Sequence, residues 1–586
     1  MSSVRQLWDL LTRQQRWAGV VLLGLIMVGM ALETLGVGLV VPMLALVTER
    51  DFTARYHVLV PVLRFLGNPS QEKFVVIAML FLVGVYVVKT FYIAFMTWRQ
   101  YSFLATVQVD LSQRLFAGYL GQPYAFHLRR NSAELIRNVI SEVAMVVTGF
   151  TSVLVILAEA LMVGGICALL LTVAPVGALL IVALFGGAGW AFHRVTRRHI
   201  ARWGRARLVH DVLRTQHVMQ GLGGIKEVKL LGREDSFLAV FRTQNAGRAR
   251  VEGRQLTLQA MPRLLLELLV IAGTVALIVV TISQGRALQS LVPTIGLFGV
   301  AAFRLLPSAN RILSSVQSVR FVAPGIRVIH EESRLIEAGI VPRRGQPMPF
   351  ANAVTLERVT FQYESTAGPA LSDVTLSIVH GTSVGFIGSS GAGKSTLVDI
   401  ILGLLVPTSG TVRVDGVDIQ TNPRGWQDQI GYVPQSIFLT DDTLRRNVAF
   451  GVPDDKLDEA AVRKAIHAAQ LDEFVRELPQ GLDTMVGERG VRISGGQRQR
   501  IGIARALYHD PTVLVLDEAT SSLDTAMEHD VMETVRTLHG TKTLIIVAHR
   551  LNTVEQCDRL FRLKRGRIAE EGATADLLRR ATAPTG

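Results

Sequence analysis

Six long apolar runs in the first half of the chain constrain its fold more than any other feature of the sequence. A helix needs about 20 consecutive apolar residues to cross the hydrocarbon core of a bilayer. Because every backbone polar group inside lipid must be satisfied within its own segment, such runs predict membrane-spanning helices. The six runs lie at roughly 19–45, 74–97, 143–171, 173–193, 264–283 and 290–308.

The composition is that of a membrane protein with an additional soluble part. Hydrophobic residues make up 49% and charged residues 19% of a 586-residue chain, which is too long for a single core. The first run is too long for the core of a signal peptide and lacks a small-residue cleavage site, so we expect a retained helix. Cys167 and Cys557 lie far apart and predict neither a disulfide framework nor a metal site.

The distribution of charge predicts the orientation of the spans. The formal net charge is +13, and the excess lies largely in the stretches that flank the apolar runs, which favours a membrane surface over nucleic acid. The polar stretch 194–263 alone carries 15 lysines and arginines. By the positive-inside rule, the long polar stretches and both termini face the cytoplasm, and the short connections face outward.

Several ionisable residues fall inside the predicted spans and are candidates for a substrate path. Each would cost roughly 2.5–3.5 kcal/mol near the bilayer centre if it faced lipid, so we expect it to face a watery cavity or a partner. For Lys89 and Arg304, a side chain that reaches the membrane interface is an equal alternative. The candidates are Glu33, Lys89, Glu159, Glu267 and Arg304.

From about residue 340 the sequence becomes typical of an α/β domain. The run "SVGFIG" predicts a strand, "SSGAGKST" a glycine-rich loop and "LVDIILGLL" a helix, which is the context in which a phosphate-binding P-loop occurs. Gly391 and Gly393 let the backbone approach the phosphates of a nucleotide. Lys394 neutralises the β- and γ-phosphates, and Ser395 presents its hydroxyl to Mg²⁺. The complete loop is Gly388, Ser389, Ser390, Gly391, Ala392, Gly393, Lys394, Ser395 and Thr396.

A second chemical element follows the apolar run of "TVLVLDEATSSLD". Asp517 ends this predicted buried strand, at the sheet edge where α/β folds bind ligands, and can hold Mg²⁺. Glu518 is placed to accept a proton from an attacking water. The run "TLIIVAH" ends in His549, which at a strand end can bind the γ-phosphate and hold that water.

Taken with "VPQ", "SGGQ" and "VAHR" in this order, residues 350–575 resemble the nucleotide-binding domain of ABC transporters. The resemblance implies that Tyr363 stacks on the adenine and that Gln435 touches Mg²⁺ and senses the membrane domain. It also implies that Asp524 communicates across a dimer. Ile493 stands before the signature where leucine is commoner, and we expect no effect of this aliphatic exchange.

The resemblance also explains why one domain carries two glycine-rich phosphate cradles. In this family the second cradle binds the ATP that the other subunit holds, so a single chain cannot complete an active site. Six spans and one ATPase domain are half of the usual complement, which implies a homodimer. The residues that would act across the dimer are Ser494, Gly495, Gly496 and Gln497.

We therefore predict an α-helical polytopic membrane domain of six spans, followed by an α/β P-loop NTPase domain of the ABC class. The predicted boundaries are 1–335 for the membrane domain, 336–349 for a linker and 350–586 for the nucleotide-binding domain. The fused arrangement resembles ABC exporters of the inner membrane, with the ATPase in the cytoplasm. In such exporters short coupling helices contact the ATPase near Gln435, and we expect them within 122–131 and 223–235.

For the substrate, "LETLGVGLVVPML", "GIKEVKLLGRED" and the outward segment 49–73 are similar to bacterial lipid-linked oligosaccharide flippases. Segment 49–73 fits an interfacial helix or a packed extracellular loop equally well. The resemblance implies a polyprenyl-diphosphate oligosaccharide as substrate and membrane lipids as partners. The alternatives are an exporter of lipids such as lipid A, peptides or hydrophobic drugs, and an ATP-gated channel or regulatory subunit. The spans argue against a soluble ABC ATPase that acts on nucleic acid.

Overall fold

The chain folds into two compact units. The first comprises Met1–Gln122 and Arg129–Ile340, and the second comprises Pro123–Leu128 and Val341–Gly586. The computed structural model describes residues 2–48, 71–173, 175–283, 292–338, 346–364, 366, 368–487, 493–519, 525–548 and 550–582. Most of the outward segment 49–73 therefore lies outside the described residues.

Residues 2–338 are helical almost throughout their described part. A π-helical segment, Asn138–Glu142, joins two of these helices without a break. The helices are α1 (Ser2–Leu10), α2 (Arg13–Thr48), α3 (Gln71–Leu120), α4 (Tyr124–Arg129), α5 (Ser132–Arg137), α6 (Val143–Val173), α7 (Pro175–Gly223), α8 (Ile225–Leu230), α9 (Glu234–Ser283) and α10 (Val292–Ala338).

The long helices carry the predicted spans. In the described part of the chain, five stretches are long and apolar enough to cross a membrane, and they belong to α2, α3, α5–α6, α9 and α10. The predicted run 173–193 begins α7, where the side chains of 172–182 lie outside the described residues. An α-helical membrane unit is therefore confirmed, and the count of six spans stays a prediction.

Helix pairs organise the first unit. α6 packs along α10, α7 along α9, and α2 along α3, while α1 packs against α10 and α6. Leucine, isoleucine and valine side chains such as Leu111, Val146 and Ile326 form the shared core, with exposed fractions of 0–1%. Many large apolar side chains remain exposed on these helices, as expected for surfaces that face lipid.

A cluster of charges, most of them buried, joins the π-helical segment to two of these helices. The Arg207 guanidinium lies 2.8 Å from a Glu142 carboxylate oxygen and 3.3 Å from an Asp211 oxygen, and Arg248 lies 2.8 Å from the other Asp211 oxygen. Arg207 is 2% exposed and Glu142 is fully buried. These ion pairs connect the π-helical segment to α7 and α9, in the polar stretches beyond the predicted spans.

The second unit consists of two sheets and the helices that cover them. One sheet is antiparallel with the order β2-β1-β4-β5, and the other has the order β10-β9-β3-β8-β7-β6. The strands are β1 (Ala353–Phe361), β2 (Leu371–Val379), β3 (Ser383–Ile387), β4 (Ser409–Val414), β5 (Val417–Asp418), β6 (Ile430–Val433), β7 (Val513–Asp517), β8 (Thr543–Val547), β9 (Arg559–Lys564) and β10 (Arg567–Ala573).

Helices pack on both faces of the larger sheet and bury two hydrophobic cores. Trp426 is fully buried in one of them, and its indole N–H donates to the carbonyl oxygen of Ile401 at 2.7 Å. The helices are α11 (Lys394–Ile401), α12 (Pro423–Gln427), α13 (Leu444–Val448), α14 (Glu459–Ala468), α15 (Asp472–Glu477), α16 (Gly495–Leu507), α17 (Thr525–Arg536), α18 (Leu551–Val554) and α19 (Thr574–Thr582).

The register of the parallel strands positions the functional residues. Val547 of β8 pairs with Phe386 of β3 on one side and with Asp517 of β7 on the other, and Val433 of β6 pairs with Leu516. Four parallel strands therefore end at one edge of the sheet. Ligands of open α/β sheets bind at this carboxyl edge.

Replacement of Arg207 by Met tests the buried charge cluster. The change leaves Glu142 and Asp211 buried with fewer partners, and we expect it to lower the free energy of unfolding by about 3–5 kcal/mol. Thermal unfolding of the purified full-length protein in detergent measures the effect. The matched control is Lys229→Met, which removes the exposed pair with Glu234 and should cost about 0–1 kcal/mol. Equal midpoints for the two variants would contradict the prediction.

Candidate functional site

The glycine-rich loop between β3 and α11 has the backbone of a phosphate cradle. Gly388, Gly391 and Gly393 have φ values of 156°, 75° and 105°, where a residue with a side chain is strained. A Cβ atom on Gly393 would also lie 2.8 Å from the carbonyl oxygen of Ala370. The loop therefore requires glycine, and it leads directly into the N-terminus of α11, where backbone N–H groups favour an anion.

Lys394 begins α11 and points back into the loop. Its ammonium group donates to the carbonyl oxygens of Gly388 at 2.9 Å and Ser389 at 3.3 Å, and the side chain is 5% exposed. Burial lowers the pKa of Lys394, while the charges of Glu518 and Asp517 raise it. The loop lysine and the two carboxylates thus lie within electrostatic reach of one another.

The carboxylate at the end of β7 has an environment that favours a cation. Burial raises the pKa of Asp517, and the neighbouring charge of Glu518 raises it further, while the hydroxyl of Tyr432 donates to Asp517 at 3.4 Å. Mg²⁺ prefers such oxygen ligands and compensates two adjacent carboxylates. With the hydroxyl of Ser395 and the amide oxygen of Gln435, Asp517 would hold Mg²⁺, which would neutralise phosphate charge. No group of three or more His, Cys, Asp or Glu that could hold a metal occurs among the described residues.

Glu518 is held in an unusual backbone conformation. Its φ is 49°, in the left-handed region, while its N–H donates to the carbonyl oxygen of Val547 at 3.0 Å. Such strain costs on the order of 1–3 kcal/mol and concentrates at functional sites. The Gln435 amide donates to a Glu518 carboxylate oxygen at 2.8 Å, so these two predicted site residues are brought together. This contact orients the carboxylate that the sequence predicts as general base.

Tyr363 and the signature residues also take defined positions. The hydroxyls of Tyr363 and Thr396 are 3.1 Å apart, which places the predicted adenine-stacking residue beside the phosphate loop. Ser494 caps α16: its hydroxyl accepts from the N–H of Gln497, and the Gln497 side chain accepts from the N–H of Ser494. Gly495 is exposed at the first position of α16, as a cradle for a second nucleotide requires.

Three predicted site residues cannot be placed in this geometry. Asp524 and His549 lie outside the described residues, and so does the side chain of Arg304. In the sequence, His549 comes two positions after Val547, the last residue of β8. Their predicted roles therefore remain predictions.

The structure adds residues that the sequence did not single out. Asp399 lies on α11, and burial, followed by the charge of Asp517, raises its pKa to about 6. Burial and the charges of Asp517 and Asp399 raise the pKa of Tyr432, which keeps this hydroxyl a hydrogen-bond donor. The one signal in the sequence was an acidic residue among the apolar positions of "LVDIILGLL". The partners of both side chains come from other elements and cannot be read from local pattern.

The α4 segment belongs to the same unit as these residues. Ala125 packs against the core of the second unit, and the Tyr124 side chain lies within electrostatic reach of Asp399 and Tyr363. This segment lies within 122–131, where the sequence predicts a coupling helix. The other predicted segment, 223–235, contains α8, which belongs to the first unit and is mostly exposed.

Among the ionisable residues of the spans, the described ones are paired. Lys89 lies 2.7 Å from Glu33, and its ammonium also lies over the Tyr86 ring. Glu159 pairs at 2.9 Å with Arg311, which follows the last predicted span and was not singled out from the sequence. Glu267 forms an exposed pair with Arg263, and the side chain of Arg304 lies outside the described residues.

Comparison with known proteins identifies both halves of the chain. Residues 371–521 match the family described as ABC transporter, and residues 57–298 match the family described as ABC transporter transmembrane region. Several curated relatives are named ATP-dependent lipid A-core flippase. The relative from Cupriavidus metallidurans is 34% identical over 80% of this chain and 80% of its own length. The relative from Nitrosococcus oceani is 32% identical over 80% and 79%.

A solved structure is similar to this chain over almost its full length. It is that of a bacterial Atm1-family ABC exporter with ATP bound, with a TM-score of 0.76 and 26% identity. The match covers 97% of this chain and 97% of that chain. The fold of a membrane unit fused to a nucleotide-binding unit therefore extends over the whole length.

The role of Glu518 is tested by Glu518→Gln. Loss of a general base lowers the rate of hydrolysis by about 10²–10⁴-fold. We expect at least this loss, because the glutamine amide has the shape of the glutamate carboxylate but cannot accept the proton. Nucleotide binding should persist and trap the ATP-bound state. ATPase rates and retention of labelled ATP measure both effects. The control is Glu533→Gln, which removes an exposed carboxylate on α17 paired with Arg536; similar rates in the two variants would exclude the assigned role.

Proposed function

Because the chain belongs to the exporter-type ABC transporters with fused membrane and ATP-binding domains, we propose that it flips a phosphorylated, lipid-anchored saccharide to the outer leaflet. The protein is a multi-pass inner-membrane protein whose nucleotide-binding domain faces the cytoplasm and couples ATP hydrolysis to transport.

One pocket of the membrane unit carries the proposal. It has a volume of about 260 Å³ and lies between α2, α3, α6 and α10. Glu33, Glu159 and Arg311 line it together with apolar residues such as Ile26 and Met162. A charged pocket at the depth of the predicted spans is costly, which favours a role in the transport path.

The charged groups of this pocket match the two kinds of polar group on a phosphorylated saccharide. The Arg311 side chain forms an ion pair with Glu159 and is still 55% exposed. Its guanidinium group can therefore also bind the oxygens of a phosphate. The other carboxylate oxygen of Glu159 is buried and has no hydrogen-bond partner among the described residues. An unsatisfied acceptor of this kind costs about 1–3 kcal/mol, which a sugar hydroxyl would recover by donating to it.

An apolar pocket on the same helices suits the lipid part of such a substrate. It has a volume of about 320 Å³ and lies between α6, α7 and α10. Val163, Phe185, Leu305 and Leu313 are among its lining residues. α6 and α10 thus border both a charged pocket and an apolar pocket, which supports an amphiphilic substrate over a purely hydrophobic drug.

Two glycolipids fit this chemistry. A polyprenyl-diphosphate oligosaccharide is the substrate that the sequence resemblance implies, and a lipid A-core is what the relatives' names state of those proteins. Both carry phosphate next to sugar on an apolar anchor. The described charges of the pocket are paired and form no basic belt. Support for a diphosphate substrate therefore comes from Arg311 and from the sequence resemblance alone.

The proposed cycle uses the nucleotide site described above in a homodimer. ATP would lie between the phosphate loop of one protomer and the cradle of Ser494, Gly495 and Gly496 of the other. Its binding closes the dimer and turns the membrane pocket outward. Hydrolysis, with Glu518 accepting the proton of the attacking water, removes the phosphate contacts of the closed state and lets the dimer reopen.

A flipping assay in proteoliposomes tests the proposed substrate class. Each of the two fluorescent glycolipids is reconstituted with the full-length protein, and its arrival in the other leaflet is followed by quenching. We expect ATP-dependent flipping of one or both, and none with Glu518→Gln. The contrary outcome is that neither glycolipid moves while hydrophobic drugs stimulate ATP hydrolysis. This result would instead support a drug exporter.

Arg311→Gln tests the pocket itself. Loss of a charge-assisted hydrogen bond costs about 1.5–3 kcal/mol, so the glycolipid concentration for half-maximal ATPase stimulation should rise roughly tenfold or more. Basal hydrolysis should remain, because Arg311 belongs to the membrane unit. The matched control is Arg250→Gln, an exposed arginine on α9 that lines none of the pockets described above. An unchanged half-maximal concentration in Arg311→Gln would exclude this pocket as the binding site.

A further inference from the structure

A separate groove of about 600 Å³ lies in the first unit between the start of α2 and the middle of α3. It takes no part in the functions described above. Ala18, Val21, Leu22 and Leu25 form the apolar part of its wall. The remaining wall is polar apart from Phe103, so the groove changes from apolar to charged along α2.

Two arginines line the polar part and keep their charge available. Arg13 has no hydrogen bond or ion pair with any residue that the structure describes, and Arg99 only lies over the Trp98 ring, 5.9 Å from its centroid. The adjacent Arg16, which does not line the groove, instead donates to backbone carbonyl oxygens of α1. Arg13 and Arg99 thus present two guanidinium groups to the same groove.

The one carboxylate on the described wall is already neutralised. Asp110 accepts from the Gln15 side chain at 3.2 Å and from the Arg114 guanidinium at 2.9 Å. Arg114 also donates to the carbonyl oxygen of Leu10, which fixes its position behind the groove. Asp110 therefore leaves Arg13 and Arg99 free to bind an anion from outside the protein.

Exposed aromatic side chains mark the level of the groove relative to the membrane. Four of them lie close in sequence to its polar residues. Their exposed fractions are 42% for Trp8, 74% for Trp17, 60% for Trp98 and 62% for Tyr101. Tryptophan and tyrosine concentrate at the height of the lipid headgroups. The positive-inside rule predicts a cytoplasmic N-terminus, which would place the arginines at the headgroups of the inner leaflet and the apolar wall among its acyl chains.

We propose that this groove binds one anionic phospholipid of the cytoplasmic leaflet. The phosphate lies between Arg13 and Arg99, the hydroxyl of Ser102 is available to the headgroup, and an acyl chain lies along the apolar residues of α2. The match of a charged end and an apolar end favours a lipid over free phosphate, because free phosphate would leave half of the wall uncovered. The proposal does not depend on which substrate is flipped.

Native mass spectrometry of the purified full-length protein, titrated with phosphatidylglycerol, tests the site. We expect Arg13→Gln/Arg99→Gln to weaken binding of the first lipid roughly tenfold to thirtyfold, since each arginine near an anionic lipid contributes to affinity. The charge-matched control is Arg5→Gln/Arg205→Gln, which removes two exposed arginines that do not line the groove. Equal weakening in both double variants would show general electrostatic attraction and overturn the proposal.

A second variant separates the groove from simple charge attraction. Ala18→Phe fills the apolar wall and leaves both arginines intact, and it should weaken phosphatidylglycerol binding at least tenfold. Retained basal ATPase activity shows that each variant is folded. Unchanged binding in Ala18→Phe overturns the proposal, because no acyl chain then occupies the wall. Displacement of phosphatidylglycerol by the flipped glycolipid at equal concentration would also overturn it and assign the groove to the substrate.

Discussion

A charged side chain that is buried away from water needs an opposite charge or a set of hydrogen bonds to be stable. This requirement applies in both units of the protein. In the membrane unit, Glu33 and Glu159 each have a cationic partner, and Arg207 holds two carboxylates in a buried cluster. In the nucleotide-binding unit, the Lys394 ammonium is held by two backbone carbonyl oxygens.

The two units meet this requirement to different extents, and the difference follows their functions. Asp517 and Glu518 lie side by side with Lys394 as the nearby cation, so the site retains an excess of negative charge that a metal ion and its nucleotide would rebalance. The Glu159–Arg311 pair also retains one unsatisfied carboxylate oxygen. In the Arg207 cluster, by contrast, two arginines balance two carboxylates, as expected for a group that holds helices together.

Local pattern in the sequence is sufficient for the helical membrane unit, the phosphate loop and the carboxyl edge of the sheet. Each of these depends on the spacing of apolar residues or on glycines within a few positions of one another. The Glu159–Arg311 pair, the Tyr432–Asp517 contact and the left-handed conformation of Glu518 were not predictable in this way. Their partners lie on other elements, and only the packing of those elements brings them together.

The ion pair between α7 and α9 has a mechanical consequence. These helices contain 49 and 50 residues, so each is about 75 Å long at 1.5 Å per residue. Helices that are cross-linked by the pair of Asp211 and Arg248 bend less readily together than either helix alone. The paired stretch therefore resists bending from α8 at its end as far as Pro262, which interrupts the hydrogen bonding inside α9.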